Sequence, residues 1–252
     1  MSVTSSLIAF ASQRFPKFSS RVLASSGYTL DLDSFGPDAF SIWNPSTAER
    51  QDRAWQGIVS AAKQGDVRED VAGLYGALDS LDGSAASLLE VGCGGGYNSE
   101  LIAHRYPGIE YHGVDISDAM IALAREHYPN RSFEVGSAYA LAAENNSYDV
   151  AVDGVALIHM PDWPLAVAEY ARTARKSVIL HGLTLTDAAP TTTFAKYAYG
   201  QPSMELVFNR AELTAICTDN GLALVSVHGG LDYDLKSYIG IESVSETWVL
   251  SS

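Results

Sequence analysis

The chain predicts an α/β protein: a doubly wound, mostly parallel sheet of about seven strands, closed by an antiparallel hairpin and preceded by an N-terminal helical cap. Three observations carry this. Short apolar runs alternate with helical patterns from Ser87 onward, a glycine-rich turn follows the first of those runs, and the first third reads as helices and loops.

The cap is placed at residues 1–84. LIAFASQRF, AERQDRAWQGIVSAAKQ and VREDVAGLYGALDSL carry apolar residues at helical spacing. Asn44-Pro45-Ser46 marks a helix start, with Ser46 or Thr47 as N-cap and Glu49 placed for a capping box. GYTLDLDSFGPDAFSIW mixes aromatics with turn residues and reads as a lid.

The core is placed at residues 85–252. SLLEV, IEYHGVDI, SFEVGSA, YDVAVDGVAL and KSVILHGLTL are strands, separated by the helices YNSELIAHRY, DAMIALAREHY and DWPLAVAEYARTA. Such alternation implies right-handed crossovers between parallel strands. After an insertion at about 186–208, RAELTAICTDNG is a helix with Asn209 as N-cap and Gly221 at its end. LALVSVHGG and SVSETWVLSS close the sheet, antiparallel to each other.

Composition narrows the partners. With 252 residues and a formal charge of −14, the chain would repel a phosphate backbone, so a small molecule is expected and a nucleic acid is not. No run reaches the roughly 18 apolar residues of a membrane span, and SLIAFA lacks the basic flank of a signal peptide, so a cytoplasmic protein without a membrane partner is expected. Two cysteines, Cys93 and Cys217, form neither a disulfide framework nor a zinc pattern, and no metal is expected.

The informative stretch is LLEVGCGGGYN, residues 88–98. The dinucleotide pattern G-x-G-x-x-G fails in both registers, at Tyr97 or at Ser99, and no lysine follows to make a phosphate loop. Glu90, at the strand tip, would repel a pyrophosphate at short range. The spacing that fits is acidic-x-Gly-x-Gly-x-Gly at Glu90, Gly92, Gly94 and Gly96, with Cys93 as a small filler between glycines.

That spacing resembles motif I of the class I S-adenosylmethionine-dependent methyltransferases, a Rossmann-like superfamily. The resemblance spans roughly residues 87–185. It implies S-adenosyl-L-methionine as cofactor, whose sulfonium and ammonium a carboxylate attracts, and a small-molecule methyl acceptor. It further implies that Asp115 binds both ribose hydroxyls and that Ile116 packs on adenine. Gly136-Ser137-Ala138 aligns with a Gly-Asp-Ala type segment near the adenine, departing from it at Ser137. DGVALIHMPDW resembles the segment ending in His-Leu-Pro-Asp, which lays Asp153, Gly154 and Val155 along the cofactor and brings His159 toward the methyl-transfer face. Family members often reach the cofactor carboxylate from the preceding helix, which points to Arg53, near Gln51 and Trp55.

Methyl transfer from a sulfonium is an in-line displacement, so alignment and exclusion of water dominate the enzyme's task. A hydroxyl or acidic carbon as acceptor also calls for a base, with His159 the first candidate and His181 the second. The insertion, with Phe194, Tyr197 and Tyr199, usually lines the substrate pocket in such enzymes, although an ordinary packed helix would carry the same aromatics. No Asn-Pro-Pro-Tyr segment follows the fourth strand, which argues against exocyclic-amine and protein-glutamine methylation. Two alternatives remain: a cofactor-binding regulatory or non-methylating protein on the same fold, and a nucleotide-dependent oxidoreductase.

Overall fold

The computed structural model describes residues 27–32, 44–81, 83–198 and 201–252. LIAFASQRF, most of GYTLDLDSFGPDAFSIW and Tyr199 lie outside the described residues.

The strands are β1 (Tyr28–Thr29), β2 (Ser87–Val91), β3 (Glu110–Asp115), β4 (Ser132–Val135), β5 (Tyr148–Gly154), β6 (Ala174–Thr186), β7 (Thr192–Ala198), β8 (Gln201–Asn209), β9 (Ala223–Gly229) and β10 (Val244–Ser251). The helices are α1 (Pro45–Lys63), α2 (Glu69–Asp79), α3 (Tyr97–Arg105), α4 (Asp118–His127), α5 (Trp163–Thr173), α6 (Arg210–Asp219) and α7 (Lys236–Ile239).

Seven of these strands make the expected core, in the order β4-β3-β2-β5-β6-β10-β9. β2 through β6 are mutually parallel, and β10 runs antiparallel to both β6 and β9. Chain order reverses direction between β2 and β5. In an open sheet, the carboxyl ends at such a reversal leave a crevice that connecting helices on opposite faces cannot fill.

Strand alternation divides the core between the two faces. Leu88 packs with Leu74 of α2, Ile102 of α3 and Ile121 of α4. Leu89 and Val91 face the other way, toward Val167 and Tyr170 of α5, Leu213 of α6 and Trp248 of β10. Glu90 therefore shares the Leu88 face, beneath α3.

Among the described residues before β2, two helices take different placements. α2 packs on β6, β9 and β10 within the helical layer, whereas α1 lies against α3 and α4. The expected N-cap at Ser46 or Thr47 is corrected to Asn44, whose side chain accepts from the Thr47 N–H at 3.2 Å. Pro45 takes the first helical position, where no N–H is needed and its fixed φ suits the turn. The α6 cap at Asn209 accepts from Ala211 and Glu212.

The insertion after the fifth core strand forms no helix. β7 and β8 are an antiparallel hairpin, joined to the end of β6 at Leu185↔Phe208 and edged by β1 at Tyr28↔Lys196. The physical reason is a period of two: Phe194 and Val207 point to one face, buried with Leu235 and Ile239. Leu206 and Phe208 point to the other, into the main core.

Trp248 is fully buried at the centre of the closing strands, and its indole N–H donates to Glu246 at 2.8 Å. Trp248→Ala is expected to cost about 3–5 kcal/mol, the range for emptying a large core site, measured as the change in unfolding free energy by urea titration.

Candidate functional site

The crevice between β2 and β5 holds a cavity of about 260 Å³. Its floor is the turn after β2. The Gly92 and Cys93 N–H groups both donate to the Val114 carbonyl, at 2.7 and 3.0 Å, so the turn is pinned to the end of β3 before α3 begins. Gly92 and Gly94 line the cavity from this turn, and Gly154, Val155 and Ala156 line it from the end of β5.

The two strand ends touch. A Cβ on Gly92 would lie 2.1 Å from the Ala156 Cβ, and one on Gly154 would lie 2.6 Å from the Gly92 carbonyl oxygen. Only hydrogen fits at either place. Val155, next in the chain, is held at φ 63°, a left-handed conformation that β-branched residues rarely adopt. Backbone in this region stores strain of roughly 1–3 kcal/mol, and it sits on the cavity wall.

Asp115 ends β3 at the opposite wall. One carboxylate oxygen accepts from the Gly94 N–H at 2.9 Å and the other from the Ser117 N–H at 2.8 Å. Each oxygen has a second lone pair, so the side chain is oriented by backbone while retaining acceptor capacity for a diol. Burial raises its pKa above the usual aspartate value, against those two bonds. Ile116 beside it is 63% exposed and lines the cavity, an apolar surface with no protein cover. Ser137 and Ala138 continue the wall, with the Ser137 hydroxyl accepting from the Tyr139 N–H at 3.2 Å.

Behind this wall lie two buried acids, one on each face of the sheet. Glu90 accepts from Asn98 Nδ2 at 2.7 Å and from the Tyr111 hydroxyl. Asp153 accepts at one oxygen from the Leu157 N–H at 2.9 Å and the Tyr170 hydroxyl at 3.1 Å, and its other oxygen is buried with no hydrogen-bond partner. Burial pushes both carboxyls up to about 7. These side chains sit under the cavity wall and hold it, Glu90 by tying α3 to β2 and Asp153 by bracing the turn that follows β5.

That turn, Leu157–His159, brings His159 to the cavity. Its Nδ1 lies 2.9 Å from the Met204 carbonyl of β8. Burial lowers the imidazole pKa, which keeps the ring neutral at pH 7.

Four expected site residues stand elsewhere. His181 is buried on β6 with Nδ1 2.8 Å from the Thr247 hydroxyl, away from the cavity, and burial pushes its pKa down to about 4. Its strand position aims it into the layer under α2. Arg53 is exposed on α1, because the helix turns its Gln51 face inward instead. Cys93 packs in the core with Tyr111 and Phe133, and burial raises its thiol well above the usual range. Gly96 starts α3 with φ 80° and meets Phe133 and Ala124 behind the turn.

Gln51, beside Arg53 in the sequence, is the α1 residue that lines the cavity. Its Oε1 is buried, has no hydrogen-bond partner and faces Gly94. Helical phase was the available signal, since 51 and 55 share a face that 53 does not. Trp55 stacks on Tyr97 with ring centroids 5.3 Å apart, and Arg68 lies 4.9 Å from the Trp55 ring centre. This stack fixes α1 above the glycine turn. Tyr139, Ala156 and Met160 of the wall carried no sequence signal of their own.

The buried acids make folding pH-dependent. Each holds its proton more tightly folded than unfolded, so the native state loses stability as pH rises from about 4, the unfolded carboxyl value, to about 7. Asp153→Asn is expected to flatten that decline in ligand-free protein, read as the urea midpoint between about pH 5 and pH 8.

A family described as a methyltransferase domain matches residues 88–177. A trans-aconitate 2-methyltransferase of Variovorax paradoxus (strain S110) is 37% identical over 78 residues, 31% of this chain and 30% of that protein. The chain thus spans under a third of that relative's length. A ubiquinone biosynthesis O-methyltransferase of Azoarcus sp. (strain BH72) is 30% identical over 175 residues, 60% of this chain and 72% of that protein. Among solved structures, a SAM-bound amino pentose methyltransferase from Micromonospora echinaspora superposes with a TM-score of 0.53 at 19% identity, covering 76% of this chain and 94% of that one, a likeness of fold. The family match and the Azoarcus relative, 72% of which this chain covers at 30% identity, lead to one assignment: the chain belongs to the class I S-adenosylmethionine-dependent methyltransferase superfamily.

Proposed function

We propose that the protein transfers a methyl group from S-adenosylmethionine to an oxygen or acidic carbon of a small molecule, with His159 as the base. The observation that carries this reading is that one cavity joins the glycine turn, Asp115, Ile116 and His159. The residues present suit the cofactor. Gly92 and Gly94 leave a cradle that a Cβ would narrow or strain, Asp115 offers oriented acceptors for ribose hydroxyls, and Ile116 offers an uncovered apolar face for a purine.

The cofactor supplies an activated methyl on a cationic sulfonium. Gln51 Oε1, a buried acceptor without a partner, would accept from the ammonium group of the bound amino acid part, with α1 already held above the glycine turn by the Trp55–Tyr97 stack. Glu90 and Asp153 lie beneath the cavity wall, where a bound cation favours their ionised forms. His159 takes the acceptor proton at Nε2, since its Nδ1 faces a carbonyl. The name of the Azoarcus relative includes O-methylation, which supports oxygen as the first acceptor atom to try.

Calorimetry with S-adenosylhomocysteine tests the cofactor assignment. Wild type is expected to bind, and Asp115→Ala to weaken binding at least tenfold; no heat from wild type would sink the reading. Labelled methyl transfer into a panel of phenols and carboxylic acids tests the reaction. With an acceptor in hand, His159→Ala is expected to lower turnover by roughly 10²–10⁴-fold, the range for a general base, with cofactor affinity unchanged. Unaltered turnover removes His159 from the mechanism.

A further inference from the structure

Three side chains stack beside the glycine turn, and none of them lines the cavity. Tyr97, the first residue of α3, is 5% exposed. The Trp55 indole of α1 lies on its ring, with centroids 5.3 Å apart and planes 5° from parallel. The guanidinium of Arg68, which caps α2, stands 4.9 Å from the centre of the same indole.

The arginine is itself fixed. Its Nε donates to Asp70 Oδ1 at 2.6 Å and its Nη2 donates to Asp70 Oδ2. Asp70 is buried and also accepts from the Val71 N–H at 2.9 Å. A fork of this kind holds the guanidinium plane in one orientation. Because α2 packs on β6, β9 and β10, the stack ties α1 to the layer that covers the sheet.

The other end of the stack reaches the turn. Gln51 precedes Trp55 by one helical turn, so the two share a face of α1. A Cβ on Gly94 would stand 3.7 Å from Gln51 Oε1 and 3.8 Å from Tyr97 Cε2, so both side chains converge on that glycine. The same tyrosine accounts for Gly95, which the acidic-x-Gly-x-Gly-x-Gly spacing does not require. A Cβ there would lie 2.5 Å from the Tyr97 hydroxyl oxygen.

We infer that Arg68, Trp55 and Tyr97 form a clamp outside the cavity that seats α1 on the glycine turn and thereby sets the affinity for the cofactor. Arg68 and Trp55 are positioning residues, acting through Gln51, whose buried Oε1 has no partner within the protein. The inference rests on the reading of the cavity as a S-adenosylmethionine site. α1 is also tied down elsewhere, by Asp52 to His127 of α4 at 3.2 Å and by Lys63 to Glu100 of α3. Lys63 ends the helix, far along it from Gln51, so its pair separates general loosening of α1 from the action of the clamp.

Amide hydrogen exchange and calorimetry with S-adenosylhomocysteine, both on the full chain, test the clamp. Trp55→Leu removes the stacking partner of Tyr97 and Arg68. It is expected to speed exchange across α1 in ligand-free protein, with α5 unchanged, and to weaken binding by about tenfold. Arg68→Met is expected to weaken binding by about threefold; both fold-changes match the usual strength of aromatic stacking and cation–π contacts. Trp55→Phe, which keeps a ring on Tyr97, should restore slow exchange and most of the affinity, a rescue that a merely disrupted helix would not show. Lys63→Met should leave affinity at the wild-type value. Wild-type affinity in Trp55→Leu or Arg68→Met, no rescue by Trp55→Phe, or an equal loss in Lys63→Met would overturn the clamp and leave the cofactor reading standing. Absence of binding by wild type would sink both.

Discussion

Everything at the site depends on how closely the ends of β2 and β5 approach. Two backbones meet at Gly92 and Gly154 with only hydrogens between them, and Ala156 closes the gap on the far side. That contact lowers the glycine turn into the crevice, so Gly94 reaches Asp115 across the cavity. It also leaves Val155 no relaxed conformation. Gly182 of the neighbouring β6 makes room for this valine: a Cβ there would stand 3.0 Å from its methyl. The strain is thus supported from two strands, as expected where a packed scaffold over-determines a wall of the binding site.

The acids beneath that wall show why a buried carboxylate need not be a ligand contact. Glu90 and Asp153 sit on adjacent strands but on opposite faces, each satisfied in part by a tyrosine hydroxyl, from Tyr111 and Tyr170. In a low-dielectric interior, ionising both would leave like charges separated by little more than the sheet, so burial raises both titrations. A cationic ligand in the crevice would favour their ionised forms instead. The scaffold is therefore least comfortable at neutral pH when empty, which gives the family's preference for acid at the strand tip an energetic reading beyond direct contact.

Much of this is legible in the sequence. SLLEV, YDVAVDGVAL and their partners have clear apolar runs, and the seven core strands follow from them with the closing antiparallel pair. Asp115 and Ile116 were readable because a strand's carboxyl end in a parallel sheet is a ligand edge by geometry. Arg53 illustrates the limit. Charge singled it out, but the rotation of α1, set by Trp55 stacking on Tyr97, turns Gln51 inward. His181 misled for a related reason, since a residue at a strand's end can face either layer and the β10 partner Thr247 drew it away.

The hairpin drew its shape from its surroundings. TTTFAKYA has aromatic and β-branched residues that suit a strand, yet its aromatic spacing also suits a helix, and beside β8 its other pairing partner lies far off at Tyr28–Thr29. Sequence alone determined the order of the core elements, the glycine turn and the acids at its edge, because periodicity and turn chemistry act over a few residues. Which acids brace the wall, which face of α1 meets the cavity, and that β8 supplies a carbonyl to His159 were decided only by tertiary structure, because each depends on a neighbour distant in the chain whose approach no local pattern encodes.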